Sequence, residues 1–240
     1  MRRGPSFGWA FIMFVLGLDP SLTGFGWAIH NPRVAGRGRV VARGVLSTSA
    51  KAAFVWRYMY MRQAVVEVLQ LYPEVSRVGV ESPPFGEQWS EGLYGLFLYV
   101  NEALFTSRKD VVFFDPARVK TLARADSSVR RGTMDKRSMI EAAKADTTIK
   151  SWNHNAADAY IVARSAARFW DYMDGHLTDD ELTPSEQSVF LATHTFTRGP
   201  KAGKTQRKGL VFKEGDRFFQ FSQLDPQDTT LPAPIVKRIK

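Results

Sequence analysis

The chain has 240 residues, enough for one α/β domain of ordinary size plus an appendage. Its 33 Lys and Arg outnumber 24 Asp and Glu, a formal net charge of +9, so its field draws polyanions, nucleic acid first among them. It has no cysteine, which excludes a disulfide framework and a thiolate zinc site and suits a reducing, cytoplasmic setting.

Residues 1–12 read as a leader. Arg2 and Arg3 ahead of the apolar run Trp9–Leu16 look like a signal peptide. That run is too short to span a bilayer, and it leads straight into Gly17-Leu-Asp-Pro20 with no small-residue cleavage site. No other segment is long and apolar enough for a membrane, so none is expected as a partner.

Phe14–Asp19 therefore reads as a buried first strand, Phe25–His30 as a second and Arg39–Ser47 as a third. The turns carry Gly24, Pro32, Gly36 and Gly38, which suits an antiparallel meander. Phe54–Leu71 has helical spacing through Val55, Met59, Arg62, Val66 and Leu69, and Pro73 closes it. Arg77–Glu81 is a short buried strand, Gln88–Phe105 an aromatic-rich helix, and Val111–Asp115 a fifth strand stopped by Pro116. Two short helical stretches, Ala117–Ala123 and Lys136–Ala145, precede a strong helix from Asn155 to Tyr172. The order β-β-β-α-β-α-β-α predicts an α/β domain over 13–174, a mixed five-stranded sheet with helices on both faces. Residues 175–240 read as a basic extension, partly ordered, in which Val211–Phe221 suits a small hairpin.

Asp19 and Glu81 each end an otherwise apolar strand. Ligands of parallel sheets gather outside the carboxyl ends of the strands. If the two strands are neighbours, roughly 5 Å apart, both carboxylates converge. Burying such charge without a partner is costly, and a divalent cation would supply the partner. Taken singly, Asp19 is also explained as a turn residue before Pro20, and Glu81 as the partner of an arginine. The third acid is Asp158, three residues after Asn155 and so on the same helix face, among small alanines that allow close approach to the sheet. Asn155 as an N-cap and Asp158 as a first-turn acid explain each residue alone, but not why the helix is so small-sided there.

Gly17-Leu-Asp-Pro-Ser-Leu-Thr-Gly-Phe-Gly-Trp-Ala-Ile29 resembles the first motif of the RuvC family of Holliday-junction resolvases, and Val78-Gly-Val-Glu-Ser82 resembles the second. Asp115-Pro-Ala-Arg-Val-Lys120 and Asp135-Lys136 look like the family's middle segments, and Asn155-Ala-Ala-Asp-Ala-Tyr160 like its last helix motif. The match covers roughly residues 13–172. The resemblance implies an RNase H-like fold, a homodimer, and paired symmetric nicks in four-way DNA junctions. It implies two Mg²⁺ ions about 4 Å apart, replaceable by Mn²⁺, that activate water and stabilise the leaving oxygen, giving 5′-phosphate and 3′-hydroxyl ends. By position, Asp19, Glu81 and Asp158 would hold metal. Asn155 stands where the family usually has an acid or a histidine, so either Asn155 as a neutral ligand or His154, as ligand or base, completes the set.

Arg118, Lys120, Arg124, Arg130, Arg131, Lys136 and Arg137 form a basic stretch suited to phosphate, or simply a solvated helix pair. Lys120 and Lys136 match basic positions of the family motifs. Phe85, stiffened by Pro83 and Pro84, is placed to wedge into a junction or to pack within its loop. Tyr94, Phe97 and Tyr99 read as core or dimer interface, and Arg198, Lys201, Lys204, Arg207 and Lys208 as a tail patch or a linker. Three other functions fit some of these residues. They are a broader branched-DNA or RNA–DNA nuclease, a non-catalytic junction binder, and an ATP-binding protein of the actin-like fold, whose phosphate turn the first motif also resembles.

Overall fold

The computed structural model describes residues 13–83, 90–124, 134–195, 197–199, 202–203, 205–207 and 210–220. Strand β1 (Phe14–Asp19) pairs antiparallel with β2 (Gly24–His30), which pairs antiparallel with β3 (Val40–Ser47). Helix α1 (Phe54–Leu71) then returns the chain to β4 (Val75–Glu81), parallel to β1. Helix α2 (Glu91–Thr106) leads to β5 (Asp110–Phe114), parallel to β4. The Ser90 side chain accepts the Leu93 N–H and sets the start of α2.

Helix α3 (Pro116–Ala123) starts at Pro116, with Asp115 as its N-cap, so the proline that stops β5 also opens a helix. Helix α4 (Lys136–Thr147) precedes α5 (His154–Met173), and α6 (Pro184–Phe190) follows. Two short pairs complete the described chain: β6 (Thr193–Thr195) with β7 (Thr205–Arg207), and β8 (Val211–Glu214) with β9 (Arg217–Gln220).

The sheet has seven strands, in the order β3-β2-β1-β4-β5-β8-β9, rather than five. The additional two are the hairpin of the C-terminal extension, and β8 pairs antiparallel with β5. Lys213 Nζ donates to the Lys109 carbonyl at 3.1 Å, and the Gly215 N–H to Asp110 Oδ1 at 2.9 Å. Phe212 sits edge-on to Phe169 and Trp170 of α5, at 5.5 and 5.7 Å between ring centroids, and Phe190 of α6 joins them. This part of the extension therefore shares the core built around α5.

Two apolar layers flank the sheet. One joins α1 and α2 to Leu16, Leu18, Val78 and Val80; the other joins α3, α4, α5 and α6 to Val15, Ala28 and Val112. The face of α1 differs from the expected one: Tyr58, Met61, Val65, Val68 and Leu69 are buried, while Val55 and Met59 are 57% and 58% exposed. Apolar residues surround the first turns of this helix, so periodicity did not single out one stripe. Phe97 packs edge-on to Phe113, 5.6 Å away, whereas Tyr94 and Tyr99 are exposed. No helix among the described residues is long and apolar enough to cross a membrane.

Candidate active site

The parallel register of β1 and β4 pairs Leu18 with Val80, so Asp19 and Glu81 follow side by side at the carboxyl edge of the sheet. Glu81 in turn pairs with Phe114 of β5, and Asp115 comes next. The third carboxylate arrives from α5, and glycines admit it. A β-carbon on Gly17 would stand 2.0 Å from the Ala159 carbonyl oxygen, and one on Gly26 2.1 Å from that of Asn155. One on Gly79 would meet Ala166 Cβ at 2.8 Å. One face of α5, with Asn155, Ala159, Ala163 and Ala166, thus meets glycines of three strands, and at Gly17 and Gly26 backbone presses on backbone. This contact lays the start of α5, with Asp158, over the ends of β1 and β4.

Asn153 caps α5, its side chain accepting the Asn155 N–H at 2.9 Å. That corrects the sequence-based reading of Asn155 as a cap. Its side chain instead lies across Gly24, with Nδ2 2.4 Å from where a β-carbon there would stand.

All three carboxyls are only partly covered by surface, yet deep enough to resist ionisation. Burial, and next the charge of Asp158, raise Asp19 to about 7, against the pull of Lys136. Burial, then Asp19 and Asp158, hold Glu81 well above the usual range; Lys120 opposes and Asp115 adds to the rise. Burial raises Asp158 to about 6, with Lys120 and Lys136 opposing. Asp158 Oδ1 is buried without a hydrogen-bond partner. Among the described residues, no three acidic or histidine side chains are already drawn into a closed metal cage. What the edge offers is hard oxygen donors, excess negative charge and a bare carboxylate oxygen, a donor set that fits Mg²⁺ or Mn²⁺.

Lys120 and Lys136 are exposed and flank these acids from α3 and α4. Lys136 Nζ lies 3.3 Å from His154 Nε2. A lysine ammonium only donates, so Nε2 accepts and a neutral His154 carries its proton on Nδ1. Burial, then Lys136, lowers the His154 pKa and keeps it neutral. In that state neither ring nitrogen is open to a metal, and the Asn155 side-chain oxygen is the better fourth donor. Arg118 is held by Asp115, Nε to Oδ2 at 3.1 Å. Arg124, the C-cap of α3, is half-buried, while Arg137 is exposed beside Lys136. Phe85, Arg130, Arg131, Lys201, Lys204 and Lys208 lie outside the described residues, as does the Arg207 side chain; Arg198 is exposed.

Asp115 was not among the candidate residues, although an acid directly after an apolar strand is the signal that singled out Asp19 and Glu81. A second polar centre was also missed. Asp146 bonds Arg39 and Tyr160 beside buried His30, and His30, Arg39 and Asp146 line a cavity of about 310 Å³. It lies at the opposite end of the sheet, since His30 pairs with Val15. Its Arg39 and Arg168 are matched by Asp146 and Glu186, whereas Asp19 and Glu81 at the strand ends have no such ion pairs among the described residues.

No protein-family model matches the chain, and no curated protein matches its sequence. Solved structures do. RuvC of Thermus thermophilus superimposes with a TM-score of 0.53 at 23% identity, over 67% of this chain and 96% of RuvC. The same protein in complex with a Holliday junction substrate gives 0.52 at 22%, with the same coverage. The yeast mitochondrial Holliday junction resolvase Ydc2 gives 0.47 at 10%, over 69% and 81%. The chain has the RNase H-like fold of RuvC. In this RuvC-type fold β1 and β4 are the central strands, which is why their ends and the facing helix meet at one place.

Proposed function

We propose that the chain is a divalent-metal-dependent endonuclease that cuts four-way DNA junctions by paired symmetric nicks. One observation carries the proposal: carboxyls from two adjacent parallel strands and a facing helix meet at one edge, where Asp158 adds to the raised pKa of Asp19, both add to that of Glu81, and Asp158 Oδ1 has no partner. Asp19, Glu81 and Asp158, with Asn155 as a neutral donor, would hold the ions. Mg²⁺ bound there would supply Lewis-acid activation of water and charge neutralisation at phosphate. Lys120 and Lys136 contact the phosphates beside the cut, and His154 positions Lys136. DNA as substrate is supported by the net charge of +9, and a junction by the solved complex of RuvC with one. Two symmetric nicks need two sites related by a two-fold axis, hence a homodimer.

The test offers the protein labelled four-way junction, Y-shaped DNA, plain duplex and RNA–DNA hybrid, with Mg²⁺ or Mn²⁺. Symmetric nicks confined to the junction are expected. Cutting of the hybrid alone overturns the substrate, and metal-indifferent binding without cutting overturns the enzyme.

A further inference from the structure

From Pro20 to Val66 the chain has no acidic residue and seven basic ones. Four of these, Arg33, Arg37, Arg39 and Arg43, lie on the β2–β3 loop and on β3, the edge strand. Two are turned into the protein. Arg39 pairs with Asp146 at the end of α4, and its Nε donates to the Val34 carbonyl at 3.2 Å. Arg43 donates to the Ser151 carbonyl at 2.8 Å and stacks on Trp152, 4.0 Å from the ring centroid. These bonds tie the loop and β3 to the segment that joins α4 to α5. Arg33 and Arg37 on one side, and Lys150 on the other, are exposed along the seam. Asp146, the acid nearest the seam in these bonds, is buried and engaged.

The seam has a direction. At one end, residues 150–154 lead to His154 and Lys136 beside the carboxylates, and β3 ends at Ser47, paired with Gly24. At the other end lie Arg33 and Arg37. The eight residues of β3 span about 25 Å, the rise of roughly seven base pairs.

We propose that Arg33, Arg37 and Lys150 form a second phosphate-binding surface, which holds the arm of duplex DNA leaving the cut site. The proposal rests on the nuclease reading above for its substrate, but it concerns binding and not cleavage. Charges near an edge strand also keep two edges from pairing. The outward cations here sit on the β2–β3 connection and on the segment that joins α4 to α5, while the arginines at the start of β3 and on it, Arg39 and Arg43, face inward, so edge protection does not account for their placement.

The experiment measures binding of the full chain to junctions in chelator, over a range of salt. The junction arms are about 20 or about 5 base pairs long, so that only the long arm exceeds the seam. The variant Arg33→Gln/Arg37→Gln/Lys150→Gln should lower the slope of log K against log salt by about 2–3 on long arms, at about 0.9 per lost contact. On short arms, which reach Lys150 but not Arg33 and Arg37, it should lower the slope by no more than about 0.9, whereas Lys120→Gln/Lys136→Gln should weaken both. An unchanged slope on long arms overturns the surface, and self-association of the triple variant with that unchanged slope assigns the charges to edge protection. If the wild type cuts no junction while the triple variant still loses long-arm affinity, the nuclease reading fails and this surface stands.

Discussion

Lys136 Nζ and His154 Nε2, 3.3 Å apart, join the first residue of α4 to the first residue of α5 at the rim of the carboxylate site. The contact uses the ring nitrogen that a base or ligand would need, so under the proposed function His154 would act through Lys136. His154→Gln should therefore slow single-turnover cleavage by on the order of tenfold, as loss of an outer partner does. Lys136→Gln should cost at least as much and also reduce the salt dependence of binding. Loss of all cleavage in His154→Gln would make the histidine a direct participant.

Asp19→Asn should retain junction binding, lose cleavage and stabilise the metal-free protein. The folded pKa of Asp19, about 7, lies above its ordinary value of 3.8, so between these limits the native state binds more protons than the unfolded one. The stability of the metal-free protein therefore falls as pH rises from about 4 to 7, by of the order of 2–4 kcal/mol from this residue. Asp158, raised to about 6, and Glu81 add in the same direction. Thermal scans in chelator from pH 4 to 8 should show a shallower fall for Asp19→Asn, and Mg²⁺ should restore only the wild type. Equal pH slopes for the two proteins would mean that Asp19 is not strained by its neighbours.

His30 works with the opposite sign. Burial lowers its pKa to about 4 from 6.5, so stability is full above 6.5 and is lost as pH falls towards 4. Its ring stands edge-on to Tyr160, 5.6 Å between centroids, and its Nδ1 has no hydrogen-bond partner. His30→Phe keeps an aromatic edge and removes the titration. The acid-side loss of stability between pH 6.5 and 4 should shrink in that variant, and an unchanged loss would place its origin elsewhere.

The order of elements along the chain and both strand-end acids were legible in the sequence because apolar runs ending in Asp19 and Glu81 can be read without knowing what packs on them; that their strands are neighbours came from the fold. The close approach of α5 was half legible: Ala159, Ala163 and Ala166 are visible on the helix, but the glycines they face, Gly17 and Gly79, and Gly26 against Asn155, lie on three strands distant in sequence. The cap at Asn153 is a local signal that was placed two residues late, on Asn155, whereas the Lys136–His154 contact depends on how α4 and α5 meet, which no local pattern encodes. The buried face of α1 was misjudged because exposed Trp56, Met59 and Tyr60 are as apolar as the residues that pack.

Those glycines give a sharper test of the site than of the fold. Gly26→Ala drives a methyl group to 2.1 Å from the Asn155 carbonyl oxygen, so the start of α5 must retreat. Overpacking of this kind costs about 1–3 kcal/mol. Asp158 moves with the helix, so cleavage should fall by more than about a hundredfold, the effect of roughly 1 Å of misplacement. Gly175→Ala, where φ is +76° and no atom lies within 4 Å of the added carbon, should lose some stability and keep its cleavage rate. Equal activity in the two variants would separate α5 packing from catalysis.

Under the proposed function, Asn155 would set how much charge the site presents to a cation. It is the second residue of α5, released from capping by Asn153, and its side chain lies over Gly24, whose strand begins after the turn that follows Asp19. A carboxylate at this position is favoured by the helix N-terminus. It would also join three acids that already repel one another. Asn155→Asp should therefore lower the melting temperature of the metal-free protein at pH 8 and reduce the Mg²⁺ concentration for half-maximal cleavage several-fold, since each added anionic ligand strengthens binding of a hard cation. Asn155→Ala should move the Mg²⁺ requirement the other way with little change in metal-free stability. If the Mg²⁺ requirement is the same in all three proteins, Asn155 does not touch the metal, and the ligand set ends at Asp19, Glu81 and Asp158, with Asp115 the next carboxylate along the edge.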